Sequence, residues 1–208
     1  MAPVNTRRSY RSTIRRGDAP QAILIAAASL FRTKGYLATS IEDIAAEAGV
    51  ARPTVFAAVG PKPTMLKLVV DHATTGDDAP IPVAERSWSQ EALDAEDPAT
   101  SLRLHARNSR LICERVADLL WAVESAAAVD ADAAVLWDDL QEQRRTAMRS
   151  YVRRLARKTE LREDVDTITE TMWAMIPALY LRLVRDAGWP PARFETWLGE
   201  TFIRLWLP

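Results

Sequence analysis

From Thr39 to Phe56 the chain reads TSIEDIAAEAGVARPTVF. Ser40 is a helix-capping residue with Asp43 three positions on, and Ile41, Ile44, Ala45 and Ala48 recur at helical spacing. Ala45 is small enough for a second helix to cross close against the first. Gly49 can take the left-handed backbone that a tight turn requires. Val50 and Val55 face inward and pin the following helix, expected over about 52–58. This is the spacing of a helix-turn-helix, whose second helix presents side chains to DNA.

The flanking sequence supplies the rest of a helical module. Asp18, Pro20 and Gln21 read as the cap and first turn of a helix over about 19–34, with Ile23, Ala27, Leu30 and Phe31 on its apolar face and Gly35 as its stop. A further helix is expected from Lys62 to about residue 75, and TGDDAPIP at 75–82 reads as a loop. Beyond it, apolar periodicity predicts helices within 102–129, over 131–158, over 163–186 and over 191–206. Pro177 interrupts the third of these, removing one amide and releasing a carbonyl. No stretch alternates like a strand and no repeat is present, so the fold class is all-α. The expected domains are a basic arm at 1–17, a DNA-binding module at 18–66 and a ligand-binding and dimerisation domain at 67–208.

The charge is unevenly placed. Residues 1–66 hold nine Lys/Arg against four Asp/Glu, and residues 67–208 hold eighteen against twenty-four. A basic front and an acidic rear suggest that only the front meets a polyanion, chance clustering being the plainer alternative. Much of the excess lies in the arm, at Arg7, Arg8, Arg11, Arg15 and Arg16; a merely solubilising tail is the other reading. The single cysteine, Cys113, reads as a small buried hydrophobe rather than a reactive thiol, and nothing demands an oxidising compartment. The apolar run AILIAAASL is too short to span a membrane and too poorly flanked for a signal peptide, so a cytoplasmic protein without a membrane partner is expected. Two histidines, no metal-spaced cluster and no Gly-rich phosphate loop leave no basis for an enzyme, a metal or a cofactor.

The run AILIAAASLFRTKGYLATSIEDIAAEAGVARPTVF resembles the N-terminal module of the TetR (tetracycline repressor-like) family of transcriptional regulators. Ile23, Ala26, Ala27, Leu30, Phe31, Gly35, Tyr36, Thr39, the IEDIAAEAGV run and Thr54 carry the resemblance, over about residues 20–68. It implies a dimer that binds operator DNA, usually as a repressor, and a small molecule that enters the C-terminal domain. The helix beginning at Lys62 would then link ligand to reading head. The chain departs from the family pattern in the reading helix. Ala51 stands at the capping position, and VFAAV at 55–59 lacks the Tyr that commonly reaches a phosphate. The residues left for DNA are Arg52 for guanine, Thr54 and Lys62 for phosphate, Phe56 and Ala57 for a thymine methyl, and Arg15 and Arg16 of the arm for the backbone or minor groove.

Seven tryptophans are many for this length. Aromatics at helical spacing usually build core, but Trp121, Trp137, Trp173 and Tyr180 fall on helices that enclose the ligand in the resembled family. With Leu104, Met172 and Met175 they outline an apolar cavity, and His105, Asn108 and Glu124 are its polar candidates. Trp197, Phe202 and Trp206 on the last helix are expected to cross to a second chain in a four-helix interface. The alternative function is a helical dimer that binds a small molecule or a protein, with a DNA head that has lost sequence-specific binding.

Overall fold

A computed structural model describes residues 18–76 and 81–208; the arm arginines, Arg15 and Arg16 included, lie outside the described residues. Within the described residues every regular element is helical. The chain separates into two compact units, Met1–Val69 and Val70–Pro208.

The first unit holds α1 (Ala19–Thr33), α2 (Ile41–Glu47), α3 (Arg52–Ala58) and the start of α4 (Lys62–Thr75). Its core is Ile23, Ala27, Phe31, Ile44, Val55, Met65 and Leu66, all essentially without solvent contact. Ser40 and Asp43 form the expected capping box: the Ser40 hydroxyl accepts from the Asp43 amide at 3.0 Å, and the Asp43 carboxylate accepts from the Ser40 amide at 3.0 Å. Asp18 does not cap α1. Its backbone lies at φ −95°, ψ −8°, and its side chain makes no capping bond, because a cap needs extended backbone to fold its oxygen over the first turn. Gly49 turns the chain at φ +65°, and the Val50 amide closes the turn on the Ala45 carbonyl at 3.0 Å.

The second unit contains the end of α4, a 3₁₀ turn at Val83–Glu85, α5 (Ser87–Asp94), α6 (Pro98–Ala127), α7 (Ala131–Leu155), α8 (Val165–Tyr180) and α9 (Pro191–Trp206). Helix α8 runs on as a π-helical turn, Leu181–Asp186. Sequence periodicity gave no sign of α5, which buries only Ala92 and Leu93 and has no side-chain cap. Tertiary bonds hold it: Lys158 Nζ donates to the Leu93 and Ala95 carbonyls at 2.5 and 2.6 Å, and the Ser101 hydroxyl to the Ala92 carbonyl at 2.6 Å.

Helix α9 places Phe194, Leu198, Phe202 and Trp206 four residues apart on one buried face. It lies close against α6 at Gly199, where a Cβ would sit 3.4 Å from the Arg103 Cα. Arg110–Glu195 (2.6 Å) and Arg103–Glu200 (2.9 Å) join the same two helices. Phe202 and Trp206 therefore do not cross to a second chain. They are 0% and 2% exposed within this one, with their rings stacked 4.3 Å apart. Trp197 is half-buried against Trp189 and Phe194.

Candidate nucleic-acid interface and ligand cavity

In α3, Val55 is buried and fixes the helix, which leaves Arg52, Pro53, Phe56 and Ala57 on the outer face; Thr54 is half-buried. Arg52 Nε meets Glu42 Oε1 of α2 at 2.9 Å, and the guanidinium lies 5.6 Å from the Phe56 ring centroid. Pro53 lacks an amide, so the helix start offers one N–H fewer than usual, and with no side-chain cap at Ala51 the remaining first-turn amides are not engaged by a cap. Lys62 is committed differently from the sequence expectation of a phosphate contact. Its Nζ donates to the Tyr36 carbonyl at 2.9 Å and to the Thr39 carbonyl at 3.1 Å, and stands 4.1 Å from the Tyr36 ring centroid. It ties the start of α4 to the turn between α1 and α2.

Two cavities of the second unit bear on the expected pocket residues. The first, about 210 Å³, is lined largely by apolar side chains of α5, α6 and α7, with His105 and Asn108 among its polar groups. The second, about 300 Å³, contains Trp121, Glu124, Trp137 and Trp173. Leu120, Arg144 and Pro177 line both. The ten residues expected in one pocket are thus divided. Leu104, Met172, Met175 and Tyr180 line neither cavity. Met172 and Tyr180 are buried in the core, with Leu104 and Met175 packed against it, because the apolar stripe of α8 packs into the core shared with α6 and α7. Tyr180 meets Phe194 edge-on at 5.2 Å.

His105 stacks on Tyr151 with ring centroids 4.1 Å apart, and its Nε2 is sealed from solvent without a hydrogen-bond partner. Burial lowers its pKa to about 4, so the ring is neutral at physiological pH. Asn108 donates through Nδ2 to the Trp88 carbonyl at 2.8 Å. Burial raises the Cys113 thiol to about 12, which keeps it protonated and inert.

Arg144 and Gln141 carried no signal in the sequence. Both sit in the polar run QEQRRTAMRS, where nothing distinguishes Arg144 from Arg145. Pro177 accounts for part of their position. It has no amide to give the Trp173 carbonyl, and Arg144 Nη2 donates to that carbonyl instead, at 3.1 Å. Desolvation lowers the Arg144 pKa to about 10, so the guanidinium remains charged at neutral pH. Among the described residues no cluster of three or more His, Cys, Asp or Glu could hold a metal, and no described helix is long and apolar enough to cross a membrane.

A helix-turn-helix head thus precedes an all-helical unit that holds a partly open, largely apolar cavity. Residues 23–74 match the family model for "Bacterial regulatory proteins, tetR family". Solved structures share the fold over nearly the whole chain. A putative TetR-family transcriptional regulator from Rhodococcus sp. superposes with a TM-score of 0.70 at 13% identity, over 91% of this chain and 98% of its own. The TetR family transcriptional regulator PfmR from Thermus thermophilus gives 0.65 at 21%, over 88% and 97%. A putative transcriptional regulator from Saccharomonospora viridis, solved in complex with choline, gives 0.68 at 18%, over 90% and 96%. No curated protein sequence matches the chain. Residues 23–74 are therefore similar to the DNA-binding module of the tetR family, and the chain as a whole shares the fold of these regulators.

Proposed function

We propose that the protein is a homodimeric, cytoplasmic repressor that binds a double-stranded operator through α3 and leaves it when a small apolar molecule enters the second unit. One observation carries this reading: the exposed Arg52, Phe56 and Ala57 face of α3 belongs to a chain whose other unit holds an apolar cavity. Arg52 stands in the first turn, where a guanidinium can take the O6 and N7 of guanine. On DNA it would exchange Glu42 for the base. Phe56 and Ala57 suit a thymine methyl, and the Thr54 hydroxyl a phosphate. The bonds from Lys62 to Tyr36 and Thr39 favour a part in positioning α4. Arg15 and Arg16, with the other arm arginines, would supply most of the attraction to the backbone.

Fluorescence anisotropy with duplexes from upstream of the protein's own coding region tests the DNA reading. The expected result is sequence-selective binding at micromolar protein or below that weakens steeply with salt. Equal, salt-insensitive binding to every duplex, or none, would return the alternative of a head that has lost its specificity. Sedimentation of the full chain at micromolar concentration should give twice the monomer mass.

A further inference from the structure

Several arginines of the second unit stand opposite carboxylates: Arg110 meets Glu114 and Glu195, Arg154 meets Asp94, and Arg182 meets Asp186. Arg144 differs. It lies on the wall common to both cavities, and its two hydrogen bonds go to neutral oxygens, Gln141 Oε1 at 2.6 Å and the Trp173 carbonyl at 3.1 Å. No described carboxylate forms an ion pair with it. A guanidinium has five N–H donors, and keeping one desolvated without a carboxylate in direct contact is expensive.

A second, independent observation sits next to it. Gln141 is 7% exposed, and its Nε2 is buried with no partner. Reversing the amide does not repair this. The Oε1 position already accepts from Arg144 Nη1 and from Trp173 Nε1 at 2.9 Å, so exchanging the atoms would set an NH₂ group against two donors. The amide orientation is therefore fixed, and a donor is left over. At this point of the wall the protein supplies a cation and a spare N–H; the carboxylate of the second cavity, Glu124, supports the Arg144 charge without forming an ion pair with it. Two aromatic faces of the second cavity, Trp173 and Trp121, already carry Arg145 at 4.5 Å and Arg185 at 5.6 Å.

The geometry points to an effector that is an amphipathic acid: its carboxylate binds the Arg144 guanidinium, which lines both cavities, and its apolar body lies in the first cavity against Val116, Leu140 and Ile176. This rests on the proposed effector cavity and adds the chemistry of what fills it. A carboxylate offers about four lone-pair sites, enough for the free guanidinium donors of Arg144.

Isothermal titration of the full chain with matched acid and alcohol pairs tests this: octanoate with octanol, decanoate with decanol, naphthoate with naphthol. The expected result is that at least one acid binds about tenfold or more tightly than its alcohol, as for a buried charge-assisted hydrogen bond. Arg144→Gln, and Gln141→Glu, which places a carboxylate of the protein's own on the guanidinium, should bring the ratio to about one and leave alcohol binding in place. Wild-type protein supplies a readout that needs no variant: the preference should vanish as pH falls through the acid probe's own pKa. Equal affinity for acid and alcohol in wild type, or a preference that survives both substitutions, overturns the inference and leaves the effector cavity standing. Binding of none of the six probes overturns both.

Discussion

In the first unit Lys34 meets Asp43 at 2.9 Å, Arg52 meets Glu42 at 2.9 Å, and Lys62 meets two carbonyls of the α1–α2 turn. In the second unit Arg144 meets only neutral oxygens and is largely desolvated. These cations of the DNA-binding unit are engaged by carboxylates or carbonyls, while the second unit buries one whose hydrogen bonds go only to neutral oxygens. The charge count sharpens the contrast. Residues 18–66 hold four Lys/Arg and four Asp/Glu, so the whole basic excess of the DNA-binding half lies in its first 17 residues, which hold five arginines. An electroneutral module can orient on DNA but gains little from counterion release. Its ion pairs are exposed and weak enough to be exchanged for DNA, whereas a buried guanidinium without a carboxylate in contact is costly to keep.

The largest expected effect breaks the comparison at the arm. Removing residues 1–17 should lower operator affinity by ~100-fold or more near 0.1 M salt and reduce the log–log salt slope by up to ~4 units. An unchanged slope would mean that the folded module carries the attraction after all. The next effect belongs to the second unit. The folded protein refuses a proton at His105 until about pH 4, while the unfolded chain accepts it near 6.5. The depressed pKa therefore costs stability progressively as pH falls from 6.5 to 4, reaching about 3 kcal/mol and levelling off below that. Urea midpoints measured against pH should show this loss, and His105→Phe should flatten it.

Smaller effects test the head. Arg52→Ala should cost about 1–3 kcal/mol at one base pair and little elsewhere, so that binding to a panel of single-base operator variants becomes less selective. Uniform weakening on every variant would assign Arg52 to phosphate. Glu42→Gln should act in the opposite direction, strengthening DNA binding a few-fold by releasing Arg52 and removing a carboxylate from the same face. Ser40→Ala should cost about 1 kcal/mol of thermal stability through the lost α2 cap. The Asp43 half of that capping box has a carboxyl lowered from 3.8 to about 2, first by the Ser40 amide bond and then by Lys34. Its contribution is present above about pH 4 and fades as pH falls toward 2, which a melting series in acid should resolve.

Helix spacing alone located α3 and α4, the turn at Gly49, the Ser40–Asp43 box and the all-helical class, because these depend on residues within a few positions of one another. The residues that make DNA recognition conceivable, Arg52, Phe56 and Ala57, were legible for the same reason: Val55 faces inward, and helical geometry sends its neighbours outward. The sequence did not reveal α5, whose eight residues are held by Lys158 and Ser101 from other helices. Nor did it separate cavity from core. Met172 and Tyr180 share a helix with Trp173 and Pro177, and only the packing of α8 decides which side of that helix joins the core and which meets empty space. Above all, it could not distinguish Arg144 from Arg145. Adjacent residues on a helix point about 100° apart, so one becomes a surface cation and the other a buried one, and that rotation is set by the whole bundle and by a carbonyl that Pro177 releases on another helix.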